Sequence, residues 1–134
     1  MQVVYLDTCM VIGLIEGDTE QRIALKQYLS DKIVFSSELV RLEARLLAVR
    51  EKNSPQLKLY DDFFSACNFV DLNRSVFDLA TSLRAENNLK TPDALHLAAA
   101  IESNCSEFCT NDKHLLKIST QHIKVIDWAV LLGE

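Results

Sequence analysis

Short apolar runs, each too brief for a helix, recur along this chain between longer segments of helical spacing. That alternation limits the fold more than any other feature. The runs are Val3 to Leu6, Ile33 to Phe35, Phe69 to Leu72, Glu107 to Cys109 and Ile123 to Ile126, and they read as five strands. Helical periodicity occupies roughly residues 8–16, 19–29, 37–52, 55–66, 74–88, 92–103 and 113–118, with a short segment near 127–132. Strands alternating with helices predict an α/β fold: a mainly parallel sheet covered by helices on both faces and joined by right-handed crossovers. Glu51 to Pro55 reads as a turn, with Pro55 opening the next helix at its first position. No repeat, low-complexity tract or linker interrupts the pattern, so residues 1–134 are expected to form one domain.

Composition narrows the class. Hydrophobic residues make up 49% and charged residues 25%, with 3 Gly and 2 Pro, the balance of a folded globular chain rather than a disordered or fibrous one. The first residues, Met1 to Asp7, lack the basic start and apolar stretch of a secretory signal, and runs such as Leu95 to Ile101 are too short to span a bilayer. A cytoplasmic location without membrane association is therefore expected. Cys9, Cys67, Cys105 and Cys109 lack the paired spacing of a zinc site and are expected to be buried free thiols. The net charge of −5 argues against broad electrostatic adhesion to nucleic acid. Nucleic-acid chemistry fits that charge only if several acids bind cations and basic residues gather locally.

In an open parallel sheet, ligands bind beyond the carboxyl ends of the strands, and this rule selects among the acids. Asp7 ends the first strand, and Asp112 follows the end of the fourth. Asp93 begins a helix that must run back to the start of the fourth strand, so its N-terminus lies on the same edge. Glu43 lies inside a helix, with Leu39, Leu42, Leu46 and Leu47 at i−4, i−1, i+3 and i+4, which predicts a carboxylate within or beside an apolar stripe. A charge there is costly without a partner; exposure at the margin or a salt bridge would also explain it.

Singly, three of these acids have structural explanations. Asp7 and Asp112 fit as N-caps, and Asp93 fits the first helical turn after Thr91 as N-cap and Pro92 as first residue. Together they are harder to explain, because clustered carboxylates repel by up to about 4 kcal/mol per close pair at an effective dielectric near 20. Hard oxygen ligands suit Mg²⁺ or Mn²⁺, and such an ion serves phosphodiester chemistry.

Four segments carry a family resemblance: Tyr5-Leu6-Asp7-Thr8, Ser36 to Glu43, Leu89 to Ala100 with its Thr91-Pro92-Asp93-Ala94-Leu95-His96-Leu97-Ala98 centre, and Thr110-Asn111-Asp112. In order and spacing they are similar to the motifs of PIN-domain ribonucleases, above all the VapC-type toxins of bacterial toxin–antitoxin pairs. The resemblance implies an α/β/α sandwich with sheet order 3-2-1-4-5, a Mg²⁺- or Mn²⁺-dependent endoribonuclease acting on RNA, a homodimer, and inhibition by a small antitoxin protein. It also implies that Asp7, Glu43, Asp93 and Asp112 are the catalytic, metal-binding acids, with Thr110 as a supporting hydroxyl. Cys9 stands where the family often has Asn.

Other residues have plainer readings. His96, at i+3 from Asp93 on an apolar helix, is expected to be packed and hydrogen-bonded rather than catalytic. His114 and His122 show no ligand spacing. Glu38 fits a dipole partner in a first helical turn and is the substitute if Glu43 fails. Lys90, Lys113 and Arg84 are candidates to hold RNA phosphates. A phosphotransfer protein with Asp7 as nucleophile is disfavoured, because the dehalogenase-like pattern needs a second acid where Cys9 stands. A solitary RNA-processing nuclease and a catalytically silent binding module remain the alternatives.

Overall fold

The computed structural model describes residues 1–134. Its strands are β1 (Val3–Leu6), β2 (Ile33–Ser36), β3 (Asn68–Phe69), β4 (Glu107–Cys109) and β5 (Lys124–Ile126). Every neighbouring pair is parallel, and the order is β3-β2-β1-β4-β5, as the family resemblance implies. The helices are α1 (Thr8–Glu16), α2 (Thr19–Leu29), α3 (Glu38–Arg50), α4 (Ser54–Ser65), α5 (Arg74–Asn87), α6 (Thr91–Glu102), α7 (Lys113–Ser119) and α8 (Trp128–Leu132). None is long and apolar enough to cross a membrane.

Central β1 is buried on both faces, so Val4, Tyr5 and Leu6 form an unbroken apolar run rather than an alternating one. The strand's period of two still sorts the layers. Tyr5 and Phe108 contact each other on one face, where Tyr5 meets His96 of α6. Glu107 and Cys109 lie on the other, where both reach Tyr28 of α2. The chain builds β1, β2 and β3 outward to one side, then returns through α5 and α6 to β4 on the far side of β1. The direction of winding therefore switches between β1 and β4, the place where an open parallel sheet forms a crevice at its carboxyl edge.

Four expectations need correction. The third strand is Asn68–Phe69 rather than Phe69 to Leu72: this edge strand pairs only with β2, its ladder ends with Val70 N–H to the Ser36 carbonyl at 2.8 Å, and Val70 and Leu72 pack against the core as loop. The helix α6 starts one residue early, since Ala94 N–H already bonds the Lys90 carbonyl at 3.0 Å; Lys90 is the N-cap, without a side-chain cap, and Pro92 is second. Pro55 is likewise second in α4, because Asn53 caps the helix by accepting from Gln56 N–H at 3.1 Å. Among the cysteines, all free, only Cys105 and Cys109 are buried; Cys67 is partly buried and Cys9 exposed.

Candidate active site

Asp7 is the first residue past β1. Its backbone N–H still bonds the Cys109 carbonyl at 2.9 Å, which ties it to the switch point between β1 and β4. Its side chain is the N-cap of α1: Oδ1 accepts from Thr8 N–H at 2.9 Å, and Oδ2 accepts from the Thr110 hydroxyl at 2.7 Å. The residue is only 6% exposed. Thr110, fully buried, also accepts from Asp112 N–H at 3.2 Å and so connects the loops that carry the two acids. Asp112 is exposed and caps α7 by accepting from Leu115 N–H at 2.9 Å. The capping roles expected of Asp7 and Asp112 are thus present.

Asp93 stands in the first turn of α6, where the helix dipole favours an anion. Burial nonetheless holds its carboxyl above the usual carboxylate range, reinforced by repulsion from Asp112 and Asp7 and only partly offset by His96 and Lys90. None of Asp7, Glu43, Asp93 and Asp112 has a Lys or Arg as salt-bridge partner. His96 alone approaches, at 2.6 Å from Glu43 and 3.9 Å from Asp7.

Glu43 departs most from its sequence reading. The buried residues of α3 are Val40, Ala44 and Ala48; of the expected apolar stripe, Leu39 packs against the core but Leu42, Leu46 and Leu47 face solvent. Glu43 lies at the margin of the truly buried stripe, its side chain 30% exposed. It also has partners. Oε1 accepts from the Thr8 hydroxyl at 2.7 Å and meets His96 Nε2 at 2.6 Å. Burial works to raise the Glu43 carboxyl, but the hydrogen bonds from His96 and Thr8 outweigh it and hold the group below the usual range.

One pocket gathers these groups. Asp7, Glu43, Asp93 and Asp112 line it with Thr8, Cys9, His96, Asn111 and Trp128, and no Lys or Arg is among the lining residues. Sequence reasoning passed over Thr8, Asn111 and Trp128. Thr8 and Asn111 each adjoin a selected acid, and Trp128 opens α8 just past β5, the strand next to β4 on the same edge. The topology rule that found the acids could have found it. Its ring lies so close over α1 that a Cβ on Gly13 would fall 2.5 Å from Trp128 Cζ2, so this approach needs glycine.

The remaining candidates lie elsewhere. Glu38 is in the first turn of α3, 3.5 Å from Arg41, and lines other grooves. Arg84 donates to the Leu89 carbonyl at 2.9 Å and lines a groove between α5 and α6. His114 and His122 are exposed and outside the pocket. His96 is 1% exposed, packed and hydrogen-bonded as expected, yet it also lines the pocket.

A PIN-domain family model matches residues 4–120, which include all four acids. The chain belongs to the PIN-domain family. Solved structures agree with the fold of this PIN domain. DNA-bound VapBC from Salmonella typhimurium superposes with a TM-score of 0.77 at 18% identity, covering 96% of this chain and 99% of that one. A toxin–antitoxin complex from Klebsiella pneumoniae gives 0.67 at 25% identity over 82% and 87% of the two chains. A sarcin–ricin-loop-cleaving VapC toxin from Mycobacterium tuberculosis gives 0.65 at 15% identity over 83% and 92%. A search of curated protein sequences gives no match.

As arranged in this PIN domain, no three His, Cys, Asp or Glu side chains converge as a ready-made metal cage. The physical reason is visible in the hydrogen bonds: Asp7, Asp112 and Glu43 each turn an oxygen into the protein, toward a cap or a neighbouring donor. The donor set still fits a hard divalent cation. It is all carboxylate oxygen, it lacks a protein counter-cation, and the mutual repulsion that raises Asp93 is what such an ion would relieve.

Proposed function

We propose that this PIN domain, with residues 1–134 acting as one unit, is a divalent-metal-dependent endoribonuclease of the VapC toxin type. The carrying observation is the pocket at the β1–β4 switch point, lined by four carboxylates and by no Lys or Arg. Four of the chain's 19 acidic residues are concentrated there, and a bound cation would offset part of the net charge of −5 that otherwise opposes RNA binding.

In this reading Asp7, Glu43, Asp93 and Asp112 hold Mg²⁺ or Mn²⁺. The chemistry such an ion would supply there is Lewis-acid polarisation of a phosphoryl oxygen and a more acidic water for hydrolysis of the RNA phosphodiester. The chain's own residues supply position. Thr110 and the Thr8 amide fix Asp7 from two sides, and Thr110 at the same time holds the backbone of Asp112. Thr8 and His96 fix one oxygen of Glu43. Asp93 is held by its helix alone, and its raised affinity for protons makes it the acid most relieved by a cation.

The likeness to VapBC and other toxin–antitoxin complexes supports a small antitoxin as partner; a homodimer acting on RNA in the cytoplasm completes the proposal. A direct test is RNA cleavage by the purified protein with Mg²⁺ or Mn²⁺ and with excess EDTA. Cleavage is expected with metal, to vanish with chelator and to return when metal is restored. Undiminished cleavage in EDTA would rule out the metal mechanism, and no cleavage under any condition would favour a silent binding module.

A further inference from the structure

A histidine on a helix as apolar as α6 needs a reason, since packing alone would accept leucine. His96 is 1% exposed, so both ring nitrogens must find partners inside the protein. Nδ1 lies 2.9 Å from the Tyr5 hydroxyl and Nε2 lies 2.6 Å from Glu43 Oε1. The Tyr5 hydroxyl in turn lies 2.8 Å from Ser37 Oγ, and Ser37 caps α3 by accepting from Val40 N–H at 3.3 Å.

Counting donors orients every bond in this chain. An ionised carboxylate only accepts, so Nε2 carries the proton. Ser37 already accepts from Val40, and the acceptor its own hydroxyl hydrogen meets is Tyr5, so Ser37 donates to Tyr5. Burial keeps the Tyr5 phenol protonated, and its one hydrogen goes to Nδ1. The reverse order would leave the Ser37 hydrogen without an acceptor. All the bonds therefore run one way, from Ser37 to Tyr5 to His96 to Glu43. The path starts at the cap of α3, crosses β1 and α6, and returns to the second turn of α3.

We propose that His96 is the positioning residue for Glu43, itself oriented by Tyr5 and Ser37. The proposal rests on the reading of Glu43 as a metal-binding acid. His96 and Thr8 both occupy Oε1, so the relay determines which Glu43 oxygen stays with the protein and leaves Oε2 without a protein hydrogen bond. Outer partners of this kind typically matter by about 10–100-fold in metal affinity or activity.

The test has an arm that needs neither metal nor RNA. Nitrogen-15 NMR of histidine in the metal-free protein, with His96 assigned by its loss in His96→Gln, should show the hydrogen on Nε2 and Nδ1 acting as an acceptor, and Tyr5→Phe should perturb Nδ1. A ring protonated at Nδ1 would overturn the relay. Calorimetric titration with Mn²⁺ should show about tenfold weaker binding for Tyr5→Phe and more for His96→Leu, with partial recovery in His96→Gln, whose amide can donate near the Nε2 position. In RNA cleavage kcat should fall while KM stays, because the relay touches no substrate. If His96→Leu does not fold, Tyr5→Phe and the NMR decide. Folded variants with wild-type Mn²⁺ affinity would overturn the proposal. Full cleavage by Glu43→Gln would instead overturn the assignment of Glu43, a separate failure from an incorrect tautomer.

Discussion

The strand β4 carries acids at both ends, and the protein treats them in opposite ways. At its start Glu107 is 3% exposed, but the β4–β5 register places it opposite Lys124, whose Nζ lies 3.1 Å away, and the Tyr28 hydroxyl donates to it from α2. Past its end, Asp112 joins Asp7 and Asp93 in a pocket without a Lys or Arg. A buried carboxylate is costly unless paired, and Glu107 shows the ordinary remedy: a cation across the ladder and a phenol above. The edge acids have uncharged donors, one another and, at Asp93, a partial offset from His96 and Lys90, but no salt bridge to a Lys or Arg. The contrast lies in the counter-charge rather than in burial, since Asp7 is as buried as Glu107 while Asp93 is half-buried and Asp112 exposed.

The largest break in this comparison comes from Asp7→Asn. Cleavage should fall on the order of a thousandfold, or about 4 kcal/mol of transition-state stabilisation. The fold should persist with stability lower by about 1–2 kcal/mol, because the single amide oxygen can accept from the Thr8 N–H or from the Thr110 hydroxyl but not from both. Retained cleavage in an RNA assay would remove Asp7 from the mechanism.

Next in size is the response to metal. At a hundredfold excess over its Kd, Mn²⁺ should stabilise the wild type by about 2.7 kcal/mol in thermal unfolding, and Asp7→Asn much less. Equal stabilisation of the two would place the ion elsewhere.

Third, Glu107→Gln should lower stability by about 1–2 kcal/mol through the lost charged hydrogen bonds to Tyr28 and Lys124. RNA cleavage by the folded protein should be unchanged. A loss of cleavage at full stability would erase the distinction between the two ends of β4.

The smallest effect is expected from Asp93→Asn without metal. Because the folded-state carboxyl of Asp93 is raised, the folded protein holds this proton to higher pH than the unfolded chain does. Its contribution to stability is therefore greatest in acid and is lost as pH rises through the raised carboxylate range. Asp93→Asn should match the wild type in acid and become more stable above that range, by under about 1 kcal/mol because solvent screens a half-buried group. Glu43, held low, acts with the opposite sign: its contribution appears as pH rises through the carboxylate range and is lost in acid. Denaturant titrations of Asp93→Asn and Glu43→Gln across that range separate the two; a destabilised Asp93→Asn near neutrality would show that the dipole outweighs the repulsion.

Legibility followed the range of the interactions. Strands, helices and the caps at Asp7 and Asp112 were readable because periodicity and capping act within a few residues. Asp7, Asp93 and Asp112 could be placed on one edge because a parallel sheet with crossover helices leaves little choice about where a strand ends and a helix begins. Two errors were local competitions that went the other way: Ala94 bonded Lys90 and started α6 early, and the edge strand β3 stopped where its partner β2 ran out. Glu43 was harder. Its neighbouring leucines mark an apolar face, but an apolar face does not say whether it is buried, and Leu42, Leu46 and Leu47 point to solvent.

The sequence by itself determined the elements, the edge on which three acids stand and the motifs that place the chain among PIN domains. Only the tertiary structure decided the partners. The bond from Thr110 to Asp7 spans 103 residues and that from His96 to Glu43 spans 53, separations at which no local preference acts and packing alone chooses the neighbour. For that reason an acid with no partner and an acid held by a relay looked alike until the chain was folded.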